Sequence, residues 1–206
     1  MCYNPKKLCL EKRSALMIID MQNDFVNEQG AFAKSGVDVK RYQALEPTIL
    51  SMIELARKEG IPIIFVQMEH NDENDGDGAW KERRIAKKHP NTCREGTWGV
   101  EFYNHIQPMK EDIVIKKHRY TAFINKELHQ KLQSMKIETL IFAGINTNTC
   151  VESTVRDAHH LDYHVVVIED ATTAAFDDAY EPSLKNIRRH YGAVIGNETW
   201  QQYYAN

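Results

Sequence analysis

"TLIFAGINTNTCVESTVRDAHH", residues 139–160, decides the fold. It opens on an apolar run and passes into a helical rhythm with no Gly-Pro punctuation between the two. A strand that is apolar on both faces is covered on both faces, as in a parallel sheet with helices packed on each side. The rest of the chain repeats this unit. Strand signals stand at 14–20, 61–67, 112–117, 139–144, 164–170 and, weakly, 193–196. Helical patterns lie at 44–60, 125–136, 149–163 and 182–192, the first with Leu45, Ile49, Met52, Ile53 and Ala56 at spacings of three and four before Gly60. The pattern predicts an α/β three-layer sandwich around a mostly parallel, six-stranded, Rossmann-like sheet. Residues 68–98 break the rhythm: they are polar and lack sustained periodicity, and so are expected to form a long loop or excursion.

Composition narrows the function classes. With 206 residues, 42% hydrophobic and 27% charged, the chain is expected to be one globular domain over 1–206. A net charge of -3 leaves no basic footprint for nucleic acid. No run approaches the ~18 apolar residues of a membrane span, and the start has no signal-peptide core, so the cytoplasm is the expected location. Cys2, Cys9, Cys93 and Cys150 show no CxxC spacing, which argues against a zinc knuckle or dithiol motif and for reduced thiols. A cysteine of this kind is most often a small buried hydrophobe.

The strand ends give Cys150 a different context. In open parallel sheets, ligands bind beyond the carboxyl ends of the strands, where the strand order reverses. Asp20 ends the first strand, Lys116 and Lys117 end the third, and "GINTNT" leads from the fourth into a helix opened by Cys150. Taken alone, a strand-end Asp is a turn residue and a strand-end Lys is solvated. Together they supply a nucleophile, its proton partner and a cation. A helix N-terminus and a nearby ammonium both favour a thiolate, a carboxylate can take the thiol proton and return it to a leaving amine, and the first helical amides can face an oxyanion. Asn146 and Cys150 are the candidate amide donors. Strand alternation turns Lys116 and Lys117 to opposite faces.

Five ordered stretches, "LMIIDMQNDF" (16–25), "GTWG" (96–99), "DIVIKKHRYTAF" (112–123), "AGINTNTCVESTVRDA" (143–158) and "VVVIEDATTA" (165–174), carry a resemblance to the isochorismatase-like cysteine hydrolases over roughly residues 14–196. The resemblance implies a catalytic triad of Asp20, Lys117 and Cys150, with a cis peptide at Ile145–Asn146 beside the oxyanion-hole amides. Of the two lysines, Lys117 fits the family's spacing to "YTAF". The resemblance also implies a homo-oligomer, dimer or tetramer, acting on a small amide or ureide. The motifs look most like the ureidoacrylate and biuret branch. Phe25, Trp98 and Tyr120 would offer flat walls to a planar substrate, and Asn146 a polar side chain.

Absences sort the remaining possibilities. Metal-holding nicotinamidase-like members carry an Asp-x-His beyond strand two, where this chain reads "VQMEHNDEND", so no metal and no cofactor are expected. Residues Asn71 to Glu82 mimic a calcium loop but lack the Asp at its first position and the flanking helices, and read as a solvated acidic loop. His159 and His160 lack a second ligand pair. No GxGxxG or GxxxxGK[ST] is present. Two classes remain: a thiol amidohydrolase cleaving a C–N bond with release of ammonia, nicotinamidase-like carboxamide cleavage being its variant, and a noncatalytic relative in which Cys150 is merely oxidisable.

Overall fold

The computed structural model describes residues 3–205. Six strands, β1 (Ser14–Ile19), β2 (Ile63–Met68), β3 (Ile113–Lys117), β4 (Thr139–Ile145), β5 (His164–Thr173) and β6 (Ala193–Ile195), form one parallel sheet in the order β3-β2-β1-β4-β5-β6. Every pairing is parallel, as the continuous apolar runs predict. The two central strands, β1 and β4, are buried along their whole length. Chain order reverses between them, which puts a crevice beyond their carboxyl ends. Gly144 makes that junction possible. Its φ is +109°, and a Cβ there would lie 2.1 Å from the carbonyl oxygen of Ile19.

Between β1 and β2 run α2 (Asn23–Val26), α3 (Ala31–Lys34), α4 (Lys40–Gln43) and α5 (Glu46–Lys58), preceded near the N-terminus by α1 (Pro5–Leu10). α5 buries Ile49, Met52, Ile53 and Ala56, four of the five positions in the predicted stripe. After β2 come α6 (Asp72–Asp75) and α7 (Ala79–Ala86), then α8 (Lys126–Ser134), α9 (Glu152–His160), α10 (Asp177–His190) and α11 (Asn197–Gln202). Among the described residues no helix is long and apolar enough to cross a membrane.

Two segments differ from the sequence expectation, and a third, 68–98, takes one of its two expected forms, a folded excursion with two helices rather than a loop. It leaves β2 and returns beside it, the His70 N–H donating to Cys93 O at 2.8 Å and the Glu95 N–H to His70 O at 2.9 Å. Asp75 fastens it by accepting from Arg84 at 2.7 Å and from Arg94. The helix expected over 149–163 is two pieces, a wide π-turn over Thr147–Val151 followed by α9, so Cys150 sits in the turn and not in an α-helical first turn. Such turns are often found at functional sites. α10 begins five residues before Pro182, which reads as a helix start in sequence but lies inside the helix.

Candidate active site

The crevice beyond β1 and β4 is a cavity of about 290 Å³. Asp20, Asn146 and Cys150 line it, and Lys117 is buried behind them. Asp20 follows β1 in a left-handed conformation, φ 56°, which Asp tolerates better than most residues. Lys117 closes β3, opposite Met68 in register. Its Nζ reaches past the Met68 sulfur, at 4.0 Å, and donates to Asp20 Oδ2 at 2.8 Å. A second bond, to Arg119 O at 3.1 Å, fixes the ammonium. Lys116 points out and pairs with Glu69 at 2.8 Å on the exposed side. Alternation along β3 thus separates the two lysines.

Burial sets the electrostatics. It pushes the Asp20 carboxyl above its ordinary range, against the opposing pull of Lys117. Burial alone would lower Lys117, yet the charges of Asp20 and Cys150 carry it above its ordinary value. The Cys150 thiol is pushed up to about 12, first by burial and then by the Asp20 charge, with Lys117 acting the other way. The thiolate expected from the sequence is therefore not the resting form: desolvation outweighs the ammonium. What results is an ion pair beside a protonated thiol, and Asp20 Oδ1 has no hydrogen-bond partner within the protein. A carboxylate with a raised affinity for protons is well suited to receive the thiol proton as the sulfur attacks.

The turn that holds Cys150 is tied down on several sides. Asn146 O accepts from the N–H groups of Thr149 and Val151, both at 3.1 Å. Thr147 Oγ1 meets Thr172 Oγ1 at 2.8 Å, and Thr154 Oγ1 donates to Cys150 O at 2.7 Å. Tyr42, wholly buried, donates its hydroxyl to Asn146 Oδ1 at 2.6 Å. The Ile145–Asn146 peptide is cis.

Of the four residues expected to contact substrate, Phe25, Tyr120 and Asn146 line the cavity. Trp98 does not: its side chain is 45% exposed and lies outside the lining. The "GTWG" backbone is what this fold uses. Asn23 Nδ2 donates to Trp98 O at 3.0 Å, and Gly99 packs so tightly on Asp24 that a Cβ would lie 2.1 Å from its Oδ2. Asp24 in turn accepts from Cys93 N at 2.6 Å and Ala31 N at 3.1 Å, while Gln22 Nε2 donates to Met68 O and Val100 O at 2.8 and 2.7 Å. The motif is scaffold, and Trp98 is its exposed residue.

The aromatic wall comes instead from Trp80 in α7, edge-on to Tyr120 at 4.8 Å, and from Phe32, edge-on to Phe25 at 4.7 Å. Trp80, like Trp98, is a large aromatic in the polar stretch 68–98, and that is the signal by which the sequence could have singled it out. His70 also lines the cavity, buried and held neutral. Its pKa falls to about 3, through burial first and then Arg84. Among the described residues no group of three His, Cys, Asp or Glu side chains is placed to hold a metal ion.

An isochorismatase domain model matches residues 14–199. The chain belongs to the isochorismatase family. It is 38% identical over 200 residues to ureidoacrylate amidohydrolase RutB of Yersinia enterocolitica, an alignment covering 91% of this chain and 87% of that protein. Among solved structures, an isochorismatase family protein from Desulfovibrio vulgaris superposes with a TM-score of 0.82 at 28% identity, over 95% of this chain and 100% of the other. Nicotinamidase PncA from Bacillus subtilis superposes with a TM-score of 0.76 at 28% identity, over 89% and 99%. The six-stranded sheet described above is the fold of this family.

Proposed function

We propose that this family member is a cysteine amidohydrolase that cleaves a C–N bond of a small ureide or amide and releases ammonia. The observation that carries the reading is the convergence of three groups from beyond or at the ends of three strands: the Asp20–Lys117 ion pair at 2.8 Å and, against it, the protonated Cys150 thiol, with Asp20 and Cys150 on the cavity lining and Lys117 buried behind them. Its likeness to a ureidoacrylate amidohydrolase gives the bond type.

The chemistry follows from the charges. With a substrate carbonyl in the cavity, the Cys150 proton passes to Asp20 as the sulfur bonds to the carbonyl carbon. The carbonyl oxygen gains negative charge, which the amides of Asn146 and Cys150 are positioned in sequence to receive. Asp20 then returns the proton to the departing nitrogen, ammonia leaves, and an acyl or carbamoyl group remains on the sulfur. Water, deprotonated by Asp20, releases it. Lys117 keeps Asp20 ionised in a buried setting and opposes accumulation of negative charge. In the same reading, the matched stretch works as one hydrolase domain.

An ammonia-release screen over ureido, carbamoyl and carboxamide compounds tests this. The wild-type protein should turn over ureido compounds with higher kcat/KM than nicotinamide, and Cys150→Ala should turn over none. Nicotinamide at least about tenfold faster than every ureido compound, roughly 1.4 kcal/mol of transition-state preference, would reverse the substrate assignment.

A further inference from the structure

α4 reaches the turn that holds the nucleophile through one side chain. Tyr42 is wholly buried, and burial keeps its hydroxyl protonated well above the ordinary range. A buried O–H needs an acceptor, and among the described residues this one donates to Asn146 Oδ1 alone, at 2.6 Å. Arg41, the preceding residue, pins α4 by donating to Ala174 O at 2.8 Å and to Asp177 at 2.7 Å. Tyr42 is not on the cavity lining, so its influence there passes through Asn146.

The bond fixes which way the Asn146 amide faces. With Oδ1 taken by the hydroxyl, Nδ2 is left with two N–H groups. Among the described residues they donate to nothing, yet Nδ2 is not one of the buried atoms left without a partner, so it opens on the cavity that Asn146 lines. The opposite orientation would strip a desolvated O–H of its acceptor. The site therefore meets its ligand here with a neutral donor and not with an acceptor. Asn146 also carries one of the two main-chain amides assigned above to the carbonyl oxygen, so one residue can offer that oxygen two kinds of N–H. The plain alternative is that the Tyr42–Asn146 bond only packs α4 against the turn. That alternative ties no step of the reaction to the amide.

We infer that the Asn146 side-chain amide is a third donor to the oxygen of the attacked carbonyl, and that Tyr42 is the positioning residue that aims it. The inference rests on the amidohydrolase reading for its place in turnover and on the Tyr42–Asn146 bond for the orientation. The oxygen gains charge as the sulfur bonds to carbon, so a donor aimed at it acts more on kcat than on KM.

Two measurements on wild type, Asn146→Ala, Tyr42→Phe and the double variant test this. On a ureide that the protein hydrolyses, Asn146→Ala should lose about a hundredfold or more in kcat with KM within about threefold, and Tyr42→Phe about tenfold. The double variant should lose no more than Asn146→Ala, because Tyr42 acts only through the amide. Losses carried by KM, or single losses that multiply in the double variant, overturn the assignment. The second measurement needs no turnover. Butanal adds reversibly to the thiol: the sulfur bonds to the aldehyde carbon, the carbonyl π pair moves to oxygen, and the thiol proton ends on that oxygen, with nothing expelled. Its affinity is read from protection of Cys150 against iodoacetamide, followed on the peptide carrying Cys150. Alkylation displaces iodide and builds no oxyanion, so without butanal its rate should stay within about threefold in every variant, while butanal should bind about tenfold more weakly to Asn146→Ala. Equal butanal affinity in wild type and Asn146→Ala, no protection of wild type, or alkylation falling in step with kcat overturns the donor role. Weaker butanal binding at unchanged alkylation supports it even if the wild-type protein hydrolyses no amide or ureide, a result that would sink the amidohydrolase reading alone.

Discussion

Lys117 and Asp20 meet at 2.8 Å although their strands, β3 and β1, are not neighbours: β2 lies between them, and the lysine crosses its end over Met68. Only a long, flexible cation spans that gap, and it arrives fully desolvated. Removing it leaves a buried carboxylate without compensation, which typically costs about 3–5 kcal/mol. Lys117→Ala should therefore abolish turnover and lower the unfolding free energy by that order. Lys116→Ala, which breaks a pair between an exposed lysine and a partly buried Glu69, should change stability by no more than about 1 kcal/mol and leave turnover intact. Paired urea titrations and ammonia assays check both, and similar losses in the two variants would contradict the division of roles.

The protonated resting thiol has a signature of its own. Cys150 lies at about 12 in the folded protein against an ordinary value of 9.0, so the stability gained by burying it neutral is fully present below pH 9 and is lost as pH rises toward 12. Over that interval the wild-type protein should lose about 1 kcal/mol per pH unit relative to Cys150→Ala. Iodoacetamide should alkylate Cys150 slowly at pH 7, with a rate still climbing at pH 9. A rate that has already reached its plateau at pH 7 would mean a preformed thiolate.

Gly144 sits where β1 and β4 diverge, and its replacement meets two obstacles at once, a positive φ and a Cβ 2.1 Å from Ile19 O. The neighbouring atom is backbone of a wholly buried strand and cannot swing aside. Gly144→Ala should cost at least about 3 kcal/mol or prevent soluble expression. A melting temperature within a few degrees of wild type would show that the strands can part without penalty.

Trp80 takes the wall position that the sequence suggests for Trp98. Trp80→Ala should raise KM by about tenfold through the lost cavity wall, whereas Trp98→Ala should leave kcat/KM within about twofold. Steady-state kinetics on any turned-over ureide decide this, and the opposite ranking would return Trp98 to the site.

What could be read from sequence follows from the range of each interaction. The strands were legible because burial on both faces leaves unbroken apolar runs, and Lys117 was separable from Lys116 because strand alternation is local. α7 was not legible: its cavity-facing stripe is Trp80, Arg83, Arg84 and Lys87, which gives no apolar period. What orders it is Asp75, bound to guanidiniums nine and nineteen residues away. The ionisation of Cys150 is hidden from the sequence for a related reason. The nearby cation is visible in sequence, but the depth of burial that overrides it is a property of the assembled sheet.

The central claim is that Cys150 becomes covalently attached to the substrate's carbonyl carbon. Acid-quenched mass spectrometry of the protein mixed with a ureide that it hydrolyses tests this most directly. The account predicts an adduct on the peptide carrying Cys150, with the mass of the substrate less ammonia, absent from Cys150→Ala and depleted on longer incubation. Full turnover with no adduct at any quench time, together with activity surviving in Cys150→Ala, would contradict it.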